Sequence, residues 1–268
     1  MKLQDLTMSM RSRGEKGLVP FFTAGYPDEE TFLRLIRAAS DAGCKVIEIG
    51  VPFSDPIADG PAIQESSSRA LENGISLNRT LELAVQAREK TSARLVLMGY
   101  FNPVLQMGLE RFARRAGEAG VAGVIIPDVP LEESTDIRKV LEKEEVTFVD
   151  LVARTSSADR IKAIAGCAKG FLYLVSVTGV TGVRSPLSKD LEAFVARVRE
   201  EADIPLYVGF GVSNRDLAVQ AVHRADGVII GSALIRIIQS AATAEAAVTH
   251  VKNFLEDIHQ AINPSRRP

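Results

Sequence analysis

Eight short apolar runs, each followed by a longer stretch of helical spacing, recur along the chain, and this alternation constrains its fold more than any other feature. The runs are Leu18–Ala24, Lys45–Val51, Arg94–Tyr100, Gly123–Pro127, Thr147–Ala153, Gly170–Val177, Pro205–Gly209 and Gly227–Ile230. Each is rich in Val, Ile, Leu or Phe, as strands covered on both faces must be. Between them, Glu29–Ala42 sets Phe32, Leu35, Ile36 and Ala39 on one stripe. Thr80–Lys90, Leu109–Ala119, Glu132–Lys143, Ala158–Ala165, Leu191–Ala202, Asn214–Val222 and Ala244–Ile262 are further predicted helices. Asp28 suits the N-cap of the first, and Gly43, Gly120 and Gly166 fall where left-handed C-caps are wanted. A short extra helix is expected over Asn102–Gln106, and an N-terminal helix over 2–12 is expected to plug the barrel bottom. Eight consecutive βα units predict an α/β fold, a (β/α)8 TIM barrel with an N-terminal helix and extra short helices, as a single domain over 1–268. An open doubly wound sheet is the alternative.

The length of 268 residues suits such a barrel, which typically needs about 250. A net charge of −2 provides no field that would recruit nucleic acid or an anionic membrane. Cys44 and Cys167 form no CxxC motif and read as reduced core thiols. The N-terminus carries no apolar signal region, and no run of 18 apolar residues occurs, so a cytoplasmic protein is expected.

Chemistry in this fold gathers where strands end at their C-terminal side. Polar residues do interrupt the apolar runs there: Glu48 in KVIEIGV, Asp128 after GVIIP, Asp150 in TFVDLVA with Arg154 beyond, and Tyr173 and Ser176 in GFLYLVSV. A carboxylate between Ile47 and Ile49 either faces the barrel mouth, where desolvation raises its pKa toward the range useful for proton transfer, or pairs with a basic core residue. Asp59 ends the stiff loop PFSDPIADG, which also holds Asp55. It could face Glu48 across a substrate, or merely form a turn or cap a helix that begins at Pro61.

The seventh and eighth runs lead into GFGVSN and GSALIRII, and the sixth into TGVTGVRSP. Glycine-rich loops on consecutive strand ends, with Ser232 opening a short helix, predict a phosphate site. The TGVTGVRSP stretch reads as a mobile lid that also offers N–H groups. His223, His250 and His259 all fall on C-terminal helices, away from the strand ends, and no lysine lies in a strand interior. Carboxylates, a tyrosine and backbone donors remain, an inventory suited to acid–base C–C cleavage without a metal or an imine.

The loop residues carry a resemblance. PFFTAGYPD (20–28), IEIGVPFSDPIADGPAIQ (47–64), GYFNPV (99–104), GVIIPDVPLEES (123–134), YLVSVTGVTG (173–182), GFGVS (209–213) and ADGVIIGSA (225–233) occur in order over nearly the full length. They closely resemble the tryptophan synthase alpha subunit family, the IEIGVPFSDPxADGP stretch most specifically. The resemblance implies a lyase that cleaves indole-3-glycerol phosphate to indole and glyceraldehyde 3-phosphate. It implies Glu48 as proton shuttle between indole C3 and the glycerol hydroxyl, Asp59 as partner of the indole N–H, and Tyr173 beside the glutamate. Phe21, Ile63 and Tyr100 would line the indole pocket. Gly182, Gly211, Gly231 and Ser232 would bind phosphate, and Thr181 would be a lid threonine that bonds to Asp59. Asp55, Asn102 and Pro103 would face a beta subunit in an alpha–beta–beta–alpha heterotetramer. That subunit would hold the PLP, leaving no cofactor in this chain. Competing readings are a phosphoribosyl isomerase barrel, a non-catalytic activator of a beta subunit, and a stand-alone lyase.

Overall fold

A computed structural model describes residues 2–175, 189–209 and 211–264. The elements run α1 (Leu3–Ser12), β1 (Gly17–Thr23), α2 (Glu29–Asp41), β2 (Val46–Gly50), α3 (Pro61–Glu72), α4 (Leu77–Arg88), β3 (Arg94–Met98), α5 (Phe101–Met107), α6 (Leu109–Glu118) and β4 (Val121–Ile125). A 3-10 turn (Leu131–Glu133) then leads into α7 (Ser134–Lys143), β5 (Thr147–Phe148), β6 (Asp150–Ala153), α8 (Ala158–Ala165), β7 (Leu172–Val175), α9 (Lys189–Glu201), β8 (Leu206–Gly209), α10 (Arg215–Val222), β9 (Gly227–Ile230), α11 (Ser232–Ser240) and α12 (Ala244–Ile262).

All strand pairs are parallel, in the order β5-β4-β3-β2-β1-β9-β8-β7-β6. The fifth expected strand is broken into β5 and β6 at Val149, whose N–H donates to the Val124 carbonyl at 2.9 Å. One run of chain therefore pairs with β4 at its start and β7 at its end, and this closes the barrel.

Side-chain alternation sorts each strand into two environments. On β2, Ile47 and Ile49 join the cluster packed under the helices, whereas Val46 joins the barrel interior. That interior also holds Val19, Val96, Ile125, Phe171, Tyr207 and Ile229. Gly17 and Gly227 flank Tyr207, and a Cβ at either position would collide with its ring. The expected plug is present: Leu3, Leu6 and Met10 of α1 belong to the interior cluster, each such side chain contributing about 1.5–3 kcal/mol by burial. Thr7 Oγ1 donates to the Gly170 carbonyl at 2.6 Å and so anchors the plug with its polar group satisfied.

The N-cap of α2 is as expected: Asp28 accepts from the Thr31 N–H at 2.8 Å and from its hydroxyl at 2.7 Å. Gly43 and Gly120 are left-handed, with φ of 94° and 69°. Gly166 is not; it caps α8 with φ −64°, in the ordinary right-handed region. The helix α3 follows the stiff loop and begins at Pro61, the start implied by the capping alternative for Asp59, although no apolar periodicity predicts its length. Its Gln-Glu-Ser-Ser-Ser run has low apolar content, and packing of Ala70, Ser66 and Ser67 holds it rather than an apolar stripe. No helix among the described residues is long and apolar enough to cross a membrane.

Candidate active site

Strand β2 is buried from end to end, and alternation turns Glu48 toward the barrel mouth. Glu48 is 1% exposed, and neither carboxyl oxygen has a hydrogen-bond partner among the described residues. The alternative of a basic core partner is thereby removed. Burial, and then the neighbouring Asp59 carboxylate, raise the Glu48 pKa to about 8. A buried acceptor left unpaired costs about 1–3 kcal/mol, so the fold maintains this carboxyl group at a price in stability.

Asp59 closes the loop that leaves β2. The cap reading does not hold, because Gly60 is the N-cap of α3 and Pro61 stands in its first turn. The Asp59 main-chain carbonyl accepts from Gln64 Nε2 at 2.9 Å, while its side chain is free for other work and accepts from the Tyr100 hydroxyl at 3.2 Å. Burial raises its pKa to about 6, and the Tyr100 hydrogen bond opposes that rise. The two acids thus differ at neutral pH, Glu48 mostly protonated and Asp59 mostly ionised, the separation that divides acid and base roles.

Tyr173 comes from β7 into the same interior. Burial first, then the charges of Glu48 and Asp59, hold its phenol well above the usual range, so it remains an O–H donor. Its ring lies against Gly209 of β8, where any Cβ would fall inside the ring. Gly209→Ala is therefore expected to destabilise the protein by about 2 kcal/mol through overpacking and to displace Tyr173. Urea unfolding midpoints check the first effect; unchanged stability would place the Tyr173 ring elsewhere.

Phe21 of β1 is register partner of Glu48, and its ring lies against Gly50 and Gly231. Ile63 of α3 meets the same face of Gly231 as Phe21, so an apolar wall forms beside the acids. Gly231 is the N-cap of α11 and Ser232 its first residue, which leaves the first-turn N–H groups of that helix without intrahelical acceptors. Gly211 has φ 49°, and no described residue stands within 4 Å of where its side chain would begin. Thr181, Gly182 and Ser176, and with them the whole expected lid, lie outside the described residues.

Other polar residues on strand ends serve the scaffold. Asp150 pairs with Arg138 of α7 (Nη1 to Oδ2 3.0 Å), whose guanidinium also covers the Phe148 ring, so it faces the helices and not the mouth. Alternation explains this: Val149 and Leu151 take the inward positions. Asp128 accepts from the Phe101 N–H at 3.0 and 3.1 Å and fixes the start of α5. Cys167 is half-buried rather than a core thiol; Cys44 is buried, and both are free.

Asp55 and Asn102 are exposed on one side of the mouth, but Pro103 turns partly inward, where it lines a small void with Val51, Leu97 and Phe112. The sequence reading missed Ile57 and Leu105, which stand 87% and 63% exposed beside them. Large apolar residues within the quoted loops IADGP and FNPVL were the available signal.

Comparison with known proteins completes the description. The family model described as tryptophan synthase alpha chain matches residues 8–263. The chain is 45% identical over 261 residues to the tryptophan synthase alpha chain of Citrifermentans bemidjiense, covering 97% of each. It is 41% identical over 262 residues to that of Alkaliphilus metalliredigens, covering 98% of each. Among solved structures, tryptophan synthase subunit alpha from Legionella pneumophila is similar with a TM-score of 0.90 at 35% identity, over 98% of this chain and 99% of that one.

Proposed function

The chain belongs to the tryptophan synthase alpha chain family and is a carbon–carbon lyase of tryptophan biosynthesis that cleaves indole-3-glycerol phosphate to indole and glyceraldehyde 3-phosphate; we propose that Glu48, Asp59 and Tyr173 carry out that cleavage. The observation that carries the proposal is a fully buried and mostly protonated Glu48, without a hydrogen-bond partner among the described residues, beside an ionised Asp59.

The steps follow from those protonation states. Glu48 gives its proton to indole C3, which leaves positive charge on the ring nitrogen. Asp59 accepts a hydrogen bond from the indole N–H and stabilises that charge in a site of low dielectric. The Glu48 carboxylate then takes the proton of the glycerol hydroxyl next to the scissile bond. The C–C electron pair returns to the ring, the hydroxyl carbon becomes the aldehyde, and Glu48 ends protonated as it began. Tyr173 supports the glutamate as a neutral donor. The apolar wall of Phe21 and Ile63, with the Tyr100 ring, accepts the indole. Gly211, Gly231 and Ser232 receive the phosphate on backbone N–H groups, aided by the positive end of the α11 dipole; Thr181 and Gly182 would join from the loop after β7.

A beta chain is the family's partner, and the PLP chemistry that consumes indole belongs to it. Asp55, Asn102 and Pro103, together with Ile57 and Leu105, form the face proposed for that contact in an alpha–beta–beta–alpha assembly. Two large apolar side chains presented to solvent, on the loop after β2 and on α5, support this assignment. The deciding measurement is indole release from indole-3-glycerol phosphate by the purified chain, with and without an added beta chain. Slow release that the beta chain accelerates is the expected result. Fast release unaffected by it would indicate a stand-alone lyase, and no release in either condition would overturn the assignment of the three residues.

A further inference from the structure

We propose that Tyr100 is the positioning residue for Asp59, orienting its carboxylate and keeping it ionised through a hydroxyl that is itself fixed by the loop Asp59 belongs to. The inference rests on the role given to Asp59 above. Tyr100 is 5% exposed and stands at the N-cap of α5, at the end of β3. Its hydroxyl accepts from the Ala58 N–H at 2.9 Å. That contact occupies an oxygen lone pair and leaves the single O–H proton to be directed elsewhere. It is directed at Asp59 Oδ2, 3.2 Å away. An ionised carboxylate can only accept, so this geometry favours the charged form of Asp59.

The ring is held as well as the hydroxyl. It stacks on Phe53, from the start of the same loop, at 4.9 Å between centroids and 27° between planes. The backbone just beyond is fixed by Asp128, which accepts from the Phe101 N–H. Tyr100 therefore ties the two ends of the loop over 53–59 to a rigid strand end. The titratable groups that face this cluster among the described residues are Glu48 from β2, Tyr173 from β7 and Asp128 after β4. Asp128 and Asp59 oppose ionisation of Tyr100, the charge of Asp59 acts on Glu48 and Tyr173, and burial keeps Tyr100 protonated far above neutrality. Among the described residues, the Tyr100 hydroxyl is the group that opposes the burial effect on Asp59.

The test is Tyr100→Phe, which keeps the ring and its stacking and removes only the hydroxyl. Indole release is followed from pH 5 to 9, with the beta chain present. The acid limb of kcat/KM is expected to move up by on the order of one pH unit, with a loss of about tenfold below the limb and recovery toward wild-type rates above it. In the Asp59→Asn background, Tyr100→Phe is expected to change kcat less than twofold, since the group it positions can no longer ionise. A uniform loss across pH with an unshifted limb, or losses that multiply in the double variant, would assign Tyr100 a purely structural role. If wild type releases indole and Asp59→Asn is impaired, such a result overturns this inference alone. If wild type is inactive, or Asp59→Asn is unimpaired, the reading of the site fails and this inference with it.

Discussion

Glu48→Gln is expected to lower kcat for indole release by at least about a thousandfold while the barrel still folds and still binds glycerol phosphate. The amide has the size of the carboxyl and can neither give nor take the proton at indole C3. The same substitution reports on the cost of the site. Glu48 has a folded-state pKa of about 8 against 4.5 for an ordinary glutamate, so the folded protein holds a proton that the unfolded chain releases between those values. Stability from this proton is complete below about pH 4.5 and is lost as pH rises through about 8, by up to about 1.4 kcal/mol per pH unit. Glutamine has no such dependence. The difference in urea-unfolding free energy between pH 5 and pH 8 should therefore shrink in the variant, although Asp59, also raised, retains a smaller slope of the same sign. Turnover near wild type, or an undiminished pH slope, would remove Glu48 from the role assigned to it.

Asp59→Asn is expected to slow cleavage by about 10²–10³-fold and to leave the dissociation constant for glycerol phosphate nearly unchanged. The reason is placement: Asp59 stands with Tyr100 and Glu48 at the ring end of the site, whereas Gly211, Gly231 and Ser232 lie at the ends of β8 and β9. The wild-type profile of kcat/KM should rise through about pH 6 as Asp59 ionises and fall through about pH 8 as Glu48 loses its proton. In Asp59→Asn the acid limb should disappear. A large rise in the glycerol phosphate dissociation constant, with bound substrate cleaved at the wild-type rate, would contradict the assignment and make Asp59 a binding residue.

Much of this was open to reading before any coordinates. The barrel followed from the period of its apolar runs, because strands covered on both faces are continuously apolar and cannot be disguised. The Asp28 cap and the left-handed Gly43 and Gly120 were equally legible, since each depends on residues within a few positions of one another. Glu48 stood out for the same reason, as a charge that its own strand cannot solvate. The helix α3 was legible only as a possible start at Pro61, because its buried face is serine and alanine, which carry almost no periodic signal.

The sequence by itself determined the eight βα units, Glu48 as a charge set inside an apolar run, and the family, because apolar periodicity and contiguous motifs are local properties; the direction in which Glu48 points was decided by the structure. The tertiary structure decided which acids meet. Asp150 looked as suggestive as Asp59 on paper, yet a one-residue difference in strand phase sends it outward to Arg138, twelve positions back on α7. Asp59 and Tyr100 come from different βα units, and only closure of the barrel brings the end of β3 against the loop after β2. The separation of the Glu48 and Asp59 pKa values belongs to the structure in the same way: it arises from burial and from the distance between two charges, neither of which exists until the chain has folded.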